Sequence, residues 1–182
     1  LVARAEVFLG LLDADEFVGD RLLALQRVVD DFLGLELGIA QDTIVVFASD
    51  NGPQGEVVRQ FGGDMPDMGS PGPFRGELAD VSEGSIRTAA LIRWPDRIAP
   101  RSSYAMFSIM DFLPTLARLA GGKVPDDRPI DGVDQTDLLL GNSSTGGRDA
   151  LLTFVGPDLV AVRWKQFRTY FADVGPGRSG WG

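Results

Sequence analysis

Thr43-Ile44-Val45-Val46-Phe47-Ala48-Ser49-Asp50-Asn51-Gly52 decides the fold class, because an apolar run of strand length stops abruptly at an acid, an amide and a glycine. Strands of a parallel sheet, covered on both faces, read as nearly unbroken β-branched and aromatic runs, and Ile44 to Phe47 fit that pattern. The polar triplet then falls just past the carboxyl end of the strand, where open α/β sheets place their ligands. Asp50 and Asn51 each offer a hard oxygen of the kind that suits Ca²⁺ or Mg²⁺. Gly52 lets the backbone turn away without a side-chain clash. The same residues also read as a strand closing in an ordinary Asn-Gly turn.

Composition narrows the chemistry. The 182 residues are 44% hydrophobic and 24% charged, ordinary values for a globular protein with one sizeable core. Net charge is −9 with no sustained basic stretch, which argues against nucleic acid or an anionic membrane as partner. No apolar run approaches the length of a membrane span. Without Cys there is no thiol nucleophile or thiolate metal site, and without His the commonest general base and zinc ligand are missing. A bound metal is therefore expected to be a hard, oxygen-ligated one. No secretory signal pattern is visible at the start, and the chain opens on Leu1 rather than Met, which suggests a start inside a longer protein.

Periodicity places the elements around the opening stretch. Val18, Leu22, Leu25, Val29 and Phe32 lay an apolar stripe on a helix expected over Asp13 to Leu35. Helix, short loop and buried strand in that order make half of a βαβ crossover. Pro53 to Ala79 is dense in Gly and Pro and reads as a site loop. Ala89 to Trp94 predicts another strand, stopped by Pro95. A second amphipathic helix is expected from Ser108 to Leu119, with Ile109, Phe112, Leu113, Leu116 and Leu119 on one face. Pro114 marks its true start or a kink.

Asp131 to Thr145 reads as a loop with a short apolar turn at Leu138-Leu139-Leu140. Beyond it, Ala150 to Phe154, Leu159 to Arg163 and Gln166 to Phe171 predict an antiparallel meander. The expected organisation is an α/β part over residues 1–145 and a small antiparallel layer over 146–182, whose tail from Val174 reads as loop.

Six blocks, in this order, resemble the C-terminal half of the sulfatase family in the alkaline-phosphatase-like superfamily. They are Asp42 to Pro53, Gly72-Pro-Phe-Arg-Gly76, and Glu83-Gly-Ser-Ile-Arg87 with Leu91-Ile-Arg-Trp-Pro95. Asp111 to Gly121, Ile130-Asp-Gly-Val-Asp134 and Ala161-Val-Arg-Trp-Lys165 complete the set. The resemblance implies a mostly parallel sheet flanked by helices, followed by the small antiparallel layer. It also implies hydrolysis of a small-molecule or glycan sulfate ester at a Ca²⁺ or Mg²⁺ site, with Asp50 and Asn51 matching the family's paired metal ligands.

The family nucleophile, a formylglycine made from Cys or Ser in a Cys/Ser-X-Pro-X-Arg motif, has no match here. Ser70-Pro-Gly-Pro-Phe-Arg75 only echoes it, because glycine stands where the motif needs proline. Leu78 occupies the position of a sulfate-contacting lysine, and the family's catalytic histidines have no counterpart. The resemblance therefore implies a partial sulfatase with no catalytic residue in this chain. Its alternatives are an inert sulfatase-like binding or assembly protein, or a phosphate or phosphonate ester hydrolase of the same superfamily. Asp64, Asp67 and Asp80 are candidate further oxygen donors, although exposed loop acids are more often merely solvated. Arg75 and Arg87 have the fork geometry for an anion, and Arg87 reads better as a structural partner of Glu83. Trp94 and Trp164 read as packing residues.

Overall fold

The computed structural model describes residues 7–9, 37–53, 69–78 and 80–172. The helix expected over Asp13 to Leu35, Asp64, Asp67 and the tail from Val174 lie outside the described residues. The chain divides into two compact units, Leu1–Phe47 with Ala89–Arg148, and Ala48–Thr88 with Asp149–Gly182.

The first unit holds a four-stranded sheet in the order β2-β3-β1-β4, formed by β1 (Val7–Leu9), β2 (Val45–Ala48), β3 (Ala90–Arg93) and β4 (Arg101–Ser103). β1 pairs antiparallel with β3, Val7 opposite Ile92, and parallel with β4, Val7 opposite Arg101. The parallel character expected of this sheet thus rests, among the registered ladders, on β1–β4. The opening stretch does form a strand, but β2 is an edge strand of the described sheet, and Val46 and Phe47 stay 39% and 45% exposed. Its apolar run therefore does not report burial on both faces, as the sequence predicts.

The core of this unit is Ile92, Ile98, Leu138 and Leu139, with Ile44, Trp94, Phe107, Phe112 and Leu119 packed around it. Trp94 also donates its indole N–H to the carbonyl of Gln41 at 3.1 Å, so its packing role extends to a tie back to the turn before β2. Helix α2 (Phe112–Leu119) follows a 3-10 turn over Ile109–Asp111, and Ser108 and Asp111 close a capping box at its entry. Pro114 sits in the first turn of α2, where its missing N–H costs nothing.

The apolar stripe of α2 differs from expectation. Ile109 and Leu113 are exposed, and the face turned inward is Phe112, Thr115, Leu116 and Leu119. Thr115 fits there because its hydroxyl accepts the Gln135 N–H at 2.9 Å, which satisfies two buried polar groups at once.

The apolar turn at Leu138 to Leu140 belongs to a helix, α3 (Thr136–Leu140). Asp134 accepts the N–H and the hydroxyl of Thr136 at its start, and Gly141 ends it at φ 84°, a left-handed conformation that glycine adopts without strain. Arg101 donates to the carbonyls of Leu138 and Leu139, holding β4 against the end of α3.

The second unit contains the antiparallel meander β5 (Ala150–Val155), β6 (Asp158–Trp164) and β7 (Phe167–Tyr170), which matches the predicted runs closely. Short turns join the strands, one at Gly156 and one at Lys165, both with positive φ. The register sets Leu152, Val162 and Thr169 side by side, and on the other face Leu151, Arg163 and Arg168.

Candidate functional site

Three sequence blocks converge within the second unit. The Gly52 N–H donates to the carbonyl of Ser85 at 2.6 Å, which lays the Asp50-Asn51-Gly52 turn on the short helix α1 (Glu83–Ile86). The Gly84 N–H donates to the carbonyl of Arg75 at 2.7 Å, and the Leu78 N–H to that of Pro53 at 2.8 Å. These approaches are so close that only glycine fits. A Cβ on Gly52 would stand 1.9 Å from the carbonyl oxygen of Gly84, and one on Gly84 would stand 2.4 Å from that of Gly76.

Asp50 is exposed and Asn51 half-buried. Asp50 Oδ1 accepts the Asn51 N–H at 3.0 Å, and Asn51 Nδ2 donates to the carbonyl of Gly52 at 2.8 Å. Asp50 Oδ2 and Asn51 Oδ1 are left as two hard oxygens on adjacent residues, which suits a hard cation in kind. They do not suffice in number, since such an ion takes about six or more donors. Among the described residues no group of three acids could complete such a set. Asp80 Oδ1 accepts the N–H groups of Val81 at 2.5 Å and Ser82 at 2.9 Å, so that oxygen is turned to the backbone.

The candidate anion-binding residues separate. Arg75 is exposed, and its carbonyl rather than its guanidinium holds the turn. Arg87 pairs with Glu83 at 3.0 Å and lies over the Phe74 ring at 4.3 Å, as its structural reading expected. Burial, then the nearby charge of Arg163, pushes the Arg87 guanidinium below its ordinary pKa, against the pull of Glu83. Leu78 is half-buried and offers only its backbone N–H, already used.

Sequence reasoning passed over Arg163 and Arg168 as site residues. Both donate to Glu83, Arg168 at 2.9 Å, so that one carboxylate gathers three guanidinium groups. The signal was present in the hairpin: a two-residue connection after Trp164 puts Arg163 opposite Arg168. Like charges directly across a ladder repel unless something negative lies between them.

The comparisons with known proteins fall on the same blocks. The family model described as Sulfatase matches residues 23–122. The chain belongs to the sulfatase family. It is 42% identical to steryl-sulfatase of Mus musculus over 130 residues, which cover 71% of this chain and 20% of that protein. Arylsulfatase A of Homo sapiens is 34% identical over 167 residues, covering 88% of this chain and 31% of that protein. Among solved structures, the PsFucS1 sulfatase from Pseudoalteromonas sp. superposes with a TM-score of 0.67 at 26% identity, over 85% of this chain and 30% of that one. This sulfatase chain thus spans less than a third of each of these relatives. Among its described residues, no helix is long and apolar enough to cross a membrane.

Proposed function

We propose that this chain is the part of a sulfuric ester hydrolase that supplies Asp50 and Asn51 as two ligands of a Ca²⁺ or Mg²⁺ ion, the nucleophile and remaining donors coming from a longer parent protein. The observation that carries the reading is the seating of the Asp50-Asn51-Gly52 turn on Glu83–Ile86 through contacts that tolerate only glycine. That seating fixes the turn, while the amide of Asn51 is oriented by its own bond to Gly52, which uses Nδ2 and not Oδ1. A bound divalent ion supplies charge stabilisation to a sulfate oxygen. The contribution of this chain is to orient the two oxygens and hold the turn rigid. The proposed arrangement keeps residues 1–145 as the α/β part and 146–182 as an added antiparallel layer. Relatives carry the names steryl-sulfatase and N-acetylgalactosamine-6-sulfatase, so the proposed substrate is a small-molecule or glycan sulfate ester.

The test is arylsulfate turnover by the full-length parent with Ca²⁺ supplied. Turnover that falls by about two orders of magnitude or more in Asp50→Ala supports the assignment; turnover indifferent to that change refutes it.

A second reading, an inert descendant kept for binding or assembly, is favoured by Leu78 and by a chain without histidine. Leucine cannot neutralise an anion or donate a side-chain hydrogen bond. A parent with no turnover of sulfate esters under any divalent ion selects this second reading.

A further inference from the structure

We propose that Arg87, Arg163 and Arg168 form a binding site for a tetrahedral oxyanion, sulfate or phosphate, with Glu83 as the residue that holds the three guanidinium groups in position. Glu83 accepts Arg163 Nη1 at Oε2 and Arg168 Nη1 at Oε1, and pairs with Arg87 Nη2 at 3.0 Å. Among the described residues, three guanidinium groups meet the one carboxylate of Glu83, an excess of two positive charges, and each of these side chains is mostly removed from water. Arginine does not shed its proton to relieve this, so the excess charge favours a bound anion.

The donors left over point the same way. Arg168 keeps only 8% of its side chain exposed, and its buried Nε has no hydrogen-bond partner among the described residues. Its Nη2 is spent on the Val81 carbonyl at 2.5 Å and the Thr153 hydroxyl at 3.0 Å, which fixes the plane of the group. Arg87 is held against the Phe74 ring, so its fork is fixed as well. Arg87 and Arg163 each expose about a fifth of their side chains, so the cluster is not sealed from solvent. Asp80 Oδ1 accepts the backbone N–H groups of Val81 and Ser82. A dianion with several oxygens matches fixed, planar donors better than a halide does.

The experiment follows the arginine Nε–H resonances of the ¹⁵N-labelled 182-residue chain while inorganic sulfate, inorganic phosphate or phenyl sulfate is added. Sodium chloride at equal ionic strength is the control. Saturable shifts with sulfate and phosphate but not with chloride are expected, with affinity about tenfold weaker in Arg163→Gln, and Arg87→Gln serves as the second variant. Phenyl sulfate bound more tightly than free sulfate assigns the site to an esterified group, whereas a response confined to the inorganic ions assigns it to the free oxyanion. Shifts that chloride reproduces, or that persist unchanged in both variants, overturn the proposal. Because no ester hydrolysis is involved, a chain without turnover still tests it.

Discussion

Arg163 and Arg168 stand directly opposite each other across the β6–β7 ladder, and both donate to the single carboxylate of Glu83, about eighty residues earlier in the chain. Two like charges in register destabilise a sheet, so the meander depends on that acid. Glu83→Gln is expected to destabilise the second unit by about 2–4 kcal/mol, since it leaves three partly buried cations facing a neutral amide. Urea unfolding followed by tryptophan fluorescence measures it. In the background of Arg163→Gln the same change should cost clearly less, because the repulsion it exposes has been reduced.

A second buried pair governs acid stability. Asp111, fully buried, accepts Arg148 Nη2 at 2.5 Å and Nε at 2.9 Å, and the N–H groups of Ser108 and Val133 at 2.8 Å each. Burial alone would raise its pKa, but these donors together hold it below the ordinary carboxylate value. A carboxylate with a depressed folded-state pKa contributes stability above its unfolded value, about 3.9, and that contribution disappears as pH falls through the folded value. Thermal melts from pH 7 down to pH 2 should therefore show stability falling below about pH 4. Asp111→Asn should flatten that fall, and Asp134, depressed in the same direction, should leave a residual slope. At neutral pH, Asp111→Ala is expected to cost roughly 3–5 kcal/mol, because the buried Arg148 loses the carboxylate that accepts its Nη2 and Nε.

The seating of the Asp50-Asn51-Gly52 turn admits a steric test. Gly52→Ala forces a methyl group into the Gly84 carbonyl, and the expected loss is about 3 kcal/mol or displacement of the turn. Gly72→Ala meets nothing within 4 Å and carries only the strain of its φ of 60°, about 1 kcal/mol. Comparison of the two melting temperatures checks the difference.

Leu78 sets the last expectation. In a full-length parent that turns over arylsulfate, Leu78→Lys should raise kcat by about two orders of magnitude if, as the resemblance implies, the position is that of the family's sulfate-contacting lysine. EDTA should abolish that activity and Ca²⁺ restore it. Steady-state kinetics with and without the chelator reads both.

Much of this protein was written in local order. The alternating runs of β5, β6 and β7, the strand that stops at Pro95, and the acid-amide-glycine ending of the opening stretch are short-range patterns, legible because strand and turn chemistry repeats within a few residues. The sulfatase kinship was legible too, through six blocks in one order. Burial was not legible. Val46 and Phe47 are as apolar as a covered strand requires, yet they lie at the edge of the described sheet, and Thr115 is polar yet fully buried.

Sequence alone determined the strands of the meander, the strand before Pro95 and the helix entered near Pro114. Tertiary structure decided that Glu83 serves Arg163 and Arg168, that Asp111 serves Arg148, and that Gly52 rests on Ser85. These partners lie from 33 to 85 residues apart, and no local periodicity names them. They meet because carbonyls, carboxylates and guanidinium groups taken out of water must find one another, and only the folded chain brings them within reach.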